Sequence, residues 1–471
     1  MGIIRRVTKN YFYLFFAQVA CKIFAFCAIV YLARILTPDD FGKISFVSAI
    51  LSYFLLFTSW GLTTLGTREI AKDPGKISYY TENIISVRLL LSVLAFLCIC
   101  VLAFFLPKPR DIKILLLLYG LSIFPLAVNS DWIFQGLEKM GRIAFSNVLN
   151  FAGYLLLVLI FVKNRGQLFI IPLFWGVGNI IACGVLLAFL IKRIGRINLR
   201  FNPAEFKKLL VHAFPIGFSW VMFQVYNNFD TVMLGFMRSQ KEVGYYSAAY
   251  KIILVISSLA GFFFISIFPV VSNLYKQSIE KLKILLVYTA KLMIALSLPM
   301  MAGGIILAKP LMRLFFTSEY DSGIIAFQIL ICYVGISFLT MLYANSLLAC
   351  DREKKYAWGV CLASGINLLL NALLIPKFGL AGAAVATVIG EAVLLVYSAA
   401  FFSRIASIAV LPHLPKPFLA TLLITGLLLF TPGWNLALRM MTAFAVYFTA
   451  LLSMKFLSRE ELAEIKNQFV A

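Results

Sequence analysis

The chain alternates long apolar runs with short polar connections, and the runs have the length of a membrane span. A helix that crosses the hydrocarbon core needs about 20 mostly apolar residues. That rule picks out about fourteen segments. Six cover residues 11–36, 44–66, 87–107, 114–134, 143–162 and 168–191. Six more cover 213–237, 244–272, 284–307, 323–349, 356–375 and 380–402, and two follow at 418–430 (short) and 436–456. The first run has spanning length with no small-residue cleavage site after it, so it is expected to remain as an uncleaved first helix.

Basic residues accumulate on alternate connections, which by the positive-inside rule places the N-terminus, with Arg5, Arg6 and Lys9, in the cytoplasm. The densest stretch is 192–208, with Lys192, Arg193, Arg196, Arg200, Lys207 and Lys208. It is also the longest polar connection near mid-chain, so it reads as the linker between two halves. An even number of spans returns the C-terminus, with Lys455, Arg459 and Lys466, to the cytoplasm, and 458–468 reads as a short amphipathic surface helix. The halves resemble each other. Aligning Gly42 with Gly244 matches a helix, an acidic turn, a glycine and a second helix in both, and it sets Lys22 opposite Gln224. Six spans per half give the repeats the same orientation, the arrangement of rocking-bundle transporters. The expected organisation is an N-terminal bundle (1–195), a C-terminal bundle (196–405), and two further helices with a short tail (406–471).

Composition agrees: 62% of residues are hydrophobic and 13% charged, against roughly 25% charged in soluble domains. A net charge of +22 would suggest nucleic acid in a soluble protein; here positive-inside topology accounts for it, and no nucleic-acid partner is expected. The eight cysteines lie within or at the ends of apolar segments without metal-ligand spacing, and His212 and His413 stand alone. The chain contains no phosphate-binding Gly-rich loop, His-Glu-x-x-His or nucleophile elbow. No cofactor, metal or catalytic residue is expected, ATP is not the direct energy source, and the chain does not read as an enzyme.

Charged residues inside spans carry the candidate chemistry, because they are costly at membrane depth and face cavities or partners. Lys22 and Glu391 lie near the centres of their segments. Lys251 and Lys291 lie about seven residues in, roughly 10 Å at 1.5 Å per residue, where cavity and interface are both open. Asp131 reads as a local partner of Lys139 or Arg142, and Arg439 as interfacial. Segment seven carries a polar stripe: Gln224, Asn227, Asn228 and Thr231 at i, i+3, i+4 and i+7, flanked by Asp230. Asn147, Asn150, Gln328, Asn345, Asn367 and Asn371 add amides on other segments. A cavity with several lysines suits an anion such as a phosphate or pyrophosphate. Asp230 and Glu391 suit ion coupling.

Four motifs resemble those of the Wzx-type polysaccharide and O-antigen flippases. They are Asp131-Trp-Ile-Phe-Gln-Gly-Leu-Glu-Lys-Met-Gly141; Asn227-Asn-Phe-Asp-Thr-Val-Met-Leu-Gly235 with Val243-Gly-Tyr-Tyr-Ser-Ala-Ala-Tyr-Lys251; Leu36-Thr-Pro-Asp-Asp-Phe-Gly42; and Phe378-Gly-Leu-Ala-Gly-Ala-Ala-Val385. The resemblance spans nearly the whole chain, and the Asp-Trp-x-Phe-Gln-Gly block is its most specific piece. It implies a member of the multidrug/oligosaccharidyl-lipid/polysaccharide exporter superfamily, an all-α polytopic membrane protein with two pseudo-symmetric six-helix bundles forming a V-shaped central cavity. The implied task is to move an oligosaccharide on undecaprenyl pyrophosphate across the cytoplasmic (inner) membrane, from the cytoplasmic to the outer leaflet, by ion-coupled alternating access. Lys22, Lys251 and Lys291 would then hold the anion, Gln224, Asn227 and Asn228 the sugar, and Asp230 or Glu391 a proton or sodium ion. Membrane lipids, a polysaccharide polymerase and chain-length machinery are the implied partners. Twelve spans are common among these flippases; fourteen is the pattern of lipid II flippases. A multidrug or lipid II exporter and, more remotely, a membrane glycosyltransferase or polymerase are the competing readings.

Overall fold

A computed structural model describes the backbone of residues 3–456 and the side chains of 12–456. The side chains of Arg5, Arg6 and Lys9, and the stretch 458–468 with Arg459 and Lys466, lie outside the described residues. By internal packing the chain forms two compact units, Met1–Gly244 and Tyr245–Ala471.

The first unit contains α1 (Ile3–Ile35), α2 (Pro38–Ser59), α3 (Leu62–Lys72), α4 (Ile77–Phe105), α5 (Arg110–Gly120), α6 (Ile123–Ala127), α7 (Asp131–Gly136), α8 (Met140–Phe161), α9 (Ile171–Ile194) and α10 (Pro203–Met237). It also takes the first turn of α11 (Gln240–Gln277). Two spans are built from consecutive short helices. Pro38–Lys72 combines α2 and α3, and Arg110–Gly136 combines α5, α6 and α7. The first break falls at Trp60 and Gly61, both with positive φ (37° and 73°). Glycine is required at 61 because a Cβ there would stand 2.7 Å from the Gly217 backbone nitrogen on α10. In the second span, Pro125 inside α6 withholds the N–H that would continue the helix from α5.

Thr37 caps α2, its hydroxyl accepting from the Asp40 backbone N–H at 3.1 Å. Pro38 opens the helix, and Lys43 draws Asp39, Asp40 and Asp111 together, tying α2 to α5. The two glycines that define the repeat register meet directly. A Cβ on Gly42 would overlap the Gln240 carbonyl oxygen at 1.7 Å, and one on Gly244 would overlap the Pro38 carbonyl oxygen at 1.8 Å. In the alignment Pro38 is the counterpart of Gln240, so the contact is reciprocal between the two aligned stretches.

The connection 195–202 is held against α4 rather than free. Arg200 pairs with buried Glu82 at 2.8 Å, and the Arg200 N–H donates to Ser86. A core of Leu62, Ile84, Leu91, Trp132, Phe134, Leu190, Phe206 and Leu209 joins α3, α4, α7, α9 and α10.

The second unit contains the rest of α11, α12 (Ile279–Ile306), α13 (Ala308–Phe315), α14 (Ile324–Ala349), α15 (Glu353–Phe402), α16 (Pro415–Phe430) and α17 (Leu436–Ser453). The 50 residues of α15 would make a straight helix of about 75 Å, far beyond a roughly 30 Å hydrocarbon core. Gly379 breaks it, at φ 56° and ψ −131°. The two parts then fold back: Gly382 meets Leu374 and Ile375, Gly390 meets Asn367, and Gly359 meets Tyr397. Such pairing is that of an antiparallel helical hairpin with Gly379 at its tip. Thirteen candidate spans are found among the described residues; with α15 counted as two, the fold is an all-α polytopic membrane protein of fourteen segments. The short thirteenth segment gains length from its start, where the candidate span begins at Leu411. The last two helices pack on α12 through Ala295, Ala420, Ile424, Ala443 and Tyr447, whose hydroxyl donates to the Ala295 carbonyl at 2.8 Å. Arg439 donates to the Leu428 carbonyl at 2.6 Å, clamping α17 to the end of α16.

Candidate functional site

The first unit contains a half-open cavity of about 400 Å³ lined by α1, α7 and α8, within the size range of small-molecule pockets. On α1, Leu14, Gln18 and Lys22 share one face, with Ala17 and Cys21 beside them; α8 contributes Met140, Ile143, Asn147 and Phe151. Between them α7 supplies Asp131 and Gln135.

The short helix α7 explains the spacing of the Asp-Trp-x-Phe-Gln-Gly block. Asp131 and Gln135, one turn apart, face the cavity. Trp132 and Gly136, also one turn apart, face α3. The Trp132 ring lies where a Cβ on Gly66 would be, 2.3 Å away, and a Cβ on Gly136 would stand 2.8 Å from the Thr67 carbonyl oxygen. The Thr67 hydroxyl donates to the Trp132 carbonyl at 3.0 Å. Phe134 is fully buried behind them. One turn of helix thus has a polar face for the cavity and a tightly seated face for the scaffold.

Buried Arg88 on α4 stabilises the break before α7. Its guanidinium donates to the Asn129 carbonyl at 2.9 Å and to the Leu126 carbonyl at 2.5 Å. Breaks in a helix leave backbone groups that the bilayer cannot solvate, and Arg88 supplies donors there. The Asp131 carboxylate provides a nearby opposite charge. Asp131 accepts from the Asn129 side chain at 3.1 Å, while its Oδ1 is buried without a hydrogen-bond partner. The expected local pair with Lys139 or Arg142 does not form: the Arg142 guanidinium instead lies over the Phe134 and Phe189 rings. Aromatic faces, which the charge pattern alone does not reveal, compete for it.

Gln18, Gln135 and Asn147 make no hydrogen bond among the described residues, although all three lie within candidate spans. Other amides of the unit are used as helix-to-helix links. Asn150 donates to Asn179 at 3.2 Å, joining α8 to α9. The two asparagines of segment five therefore separate, Asn147 to the cavity and Asn150 to the scaffold.

The remaining predicted residues fall elsewhere. On α10, the Gln224 side chain donates to Ser52, and Tyr53 donates to the Gln224 carbonyl at 3.3 Å. Asn227 donates back to the Phe223 carbonyl at 2.7 Å, Asn228 is half-buried, and Asp230 is buried. None of these four lines the α1–α7–α8 cavity. In the second unit, Lys251 on α11 is half-buried and makes no hydrogen bond or ion pair among the described residues. Buried Lys291 on α12 lies 5.4 Å from the centre of the Tyr288 ring. Buried Glu391 follows Gly390, against which Asn367 packs, and Asn371 donates to Asn367 at 3.0 Å. Gln18, Arg88 and Gln135 escaped the sequence reading. Gln18 lies one turn from Lys22, and that spacing could have found it; Arg88 carried no local signal.

A multipass helical protein with an unsatisfied polar cavity has the form of a membrane transporter. The "Polysaccharide biosynthesis protein" family profile matches residues 7–275, more than half of the chain, so the protein belongs to that family. The MatE profile matches 215–373. A protein of Escherichia coli (strain K12), named "Putative O-antigen transporter", is 24% identical over 386 residues, covering 80% of this chain and 92% of that one. "Capsular polysaccharide biosynthesis protein CapF" of Staphylococcus aureus is 23% identical over 414 residues, covering 85% of this chain and all of CapF. Among solved structures, a lipid II flippase in an inward closed conformation shares the fold, with TM-score 0.74 at 18% identity over 95% of this chain and 100% of that one.

Proposed function

We propose that the protein is a flippase for lipid-linked oligosaccharides in surface polysaccharide biosynthesis. Its substrate is an oligosaccharide on undecaprenyl pyrophosphate, carried from the cytoplasmic to the outer leaflet of the inner membrane by ion-coupled alternating access. The observation that carries this reading is the α1–α7–α8 cavity: Lys22 and Asp131 line it together with three amides that make no hydrogen bond among the described residues, all on candidate spans. Polar groups at such depth need water or a ligand. Lysine suits a diphosphate, while carboxylate and amide side chains suit sugar hydroxyls. The printed names of the relatives, which concern O-antigen transport and capsular polysaccharide, point to the same class of cargo.

In this reading Lys22, Lys251 and Lys291 hold the anion. Asp131, Gln135, Gln18 and Asn147 join Gln224, Asn227 and Asn228 as contacts for sugar. Asp230 or Glu391 couples transport to a proton or sodium ion. The repeats 1–195 and 196–405 supply the two sides of the transport cycle, and both termini are cytoplasmic. The test is a flipping assay with purified protein in liposomes and a fluorescent lipid-linked oligosaccharide. Flipping that requires Lys22 supports the reading; equal activity of wild type and a Lys22→Glu variant removes it. Transport of a cationic drug but no glycan lipid would favour the multidrug reading instead.

A further inference from the structure

Three cations stand together at one end of the first unit. Lys139 lies between α7 and α8, Arg142 is in the first turn of α8, and Arg193 is in the last turn of α9. α8 and α9 pack through Ser146 and Ala182 and through Asn150 and Asn179 as antiparallel neighbours, so these two ends meet. None of the three cations forms an ion pair among the described residues. Burial pushes the Lys139 amine below its ordinary range, and the charges of Arg193 and Arg142 push it further. Arg142 is pinned, its guanidinium carbon 5.2 Å from the Phe134 ring centre and 4.9 Å from that of Phe189. Aromatic faces hold the plane of a guanidinium and leave its N–H edges free to bind an oxyanion. A basic residue that serves only as a topology signal needs neither fixed orientation nor like-charged neighbours. Met140 and Ile143, on either side of Arg142, line the cavity that contains Lys22.

We propose that Lys139, Arg142 and Arg193 form a site for the phosphate groups of a lipid headgroup at the mouth of this cavity. That the lipid is the glycan carrier rests on the proposed function; the phosphate site itself does not. Two N–H edges and an ammonium match the several oxygens of a phosphate or diphosphate, and the end of the spans is where such a headgroup lies.

The test uses the full-length protein in nanodiscs of phosphatidylcholine. Binding of three added lipids is measured by native mass spectrometry: a polyprenyl diphosphate, phosphatidylglycerol and an uncharged polyprenol. Arg193 is exposed, so Arg193→Gln should fold normally and weaken diphosphate-lipid binding about threefold; Lys139→Gln with Arg193→Gln should weaken it about tenfold, equivalent to about 0.7 kcal/mol per cation. Loss confined to the diphosphate lipid identifies a carrier-lipid site, and parallel loss for phosphatidylglycerol a general lipid-phosphate site; both support the proposal. Unchanged binding of both phosphate lipids, or an equal loss for polyprenol, overturns it. The measurement needs no flipping, so failure of the wild type to flip leaves its outcome intact.

Discussion

At the residue scale, function turns on which polar side chains the protein satisfies itself. Gln224 and Asn150 look as available in the sequence as Gln18 and Asn147. Gln224 bonds to Ser52 and Asn150 to Asn179, whereas Gln18 and Asn147 face the cavity without partners. Lys22→Glu should lower the initial rate of flipping at least tenfold, equivalent to about 1.4 kcal/mol, with Lys22→Arg retaining a substantial part. The reconstituted assay checks both against equal amounts of inserted protein. Asp131→Asn should reduce transport while Gln135→Ala changes the preference among glycans, read by competition between two lipid-linked oligosaccharides. If Gln135→Ala left both rate and preference unchanged, its place in the site would be lost.

At the element scale, α7 positions the cavity face by seating its other face on α3. Gly66→Ala drives a methyl group into the Trp132 ring; overpacking of this kind costs about 1–3 kcal/mol and should tilt Asp131 and Gln135 out of line. Gly184→Ala, where a Cβ meets nothing within 4 Å, is the control. The expected result is a lower thermal midpoint and lost flipping for the first variant only. Arg88→Leu removes the donors at the α6–α7 break and should cost about 1–3 kcal/mol, with Arg88→Lys intermediate because an ammonium cannot reach two carbonyls as a planar fork does. Thermal unfolding in detergent measures it. Gly379→Ala places a side chain in a backbone region populated almost only by glycine, at about 1–3 kcal/mol. A midpoint unchanged from wild type would contradict the hairpin at that position.

At the scale of the whole molecule, the proposed topology, with both termini cytoplasmic, requires an even number of spans, and the connections then alternate sides. The Lys43 network already places Asp39, Asp40 and Asp111 at one end of the first unit. In a cysteine-free background, single cysteines at Asp39 and Asp111 should react with an impermeant reagent from outside the cell. Cysteines at Lys139 and Arg196 should react only in inverted vesicles. Labelling of 139 from outside would reverse the proposed orientation.

The membrane class and the number of segments were legible in the sequence, because the bilayer imposes a length and an apolar composition on every span. The Gly42–Gly244 alignment paired two positions by register, and only the structure shows that they approach each other. What only tertiary structure decided was pairing. Asp131 faces the cavity, near Arg88 rather than paired with Lys139 or Arg142, because an aromatic pair captures Arg142 and the helix break recruits Arg88 from 41 residues away. The polar stripe of α10 was visible as a period, but a period does not say which neighbour it meets. Hydrogen-bond satisfaction depends on distances between segments remote in sequence, and these appear only once the helices have packed.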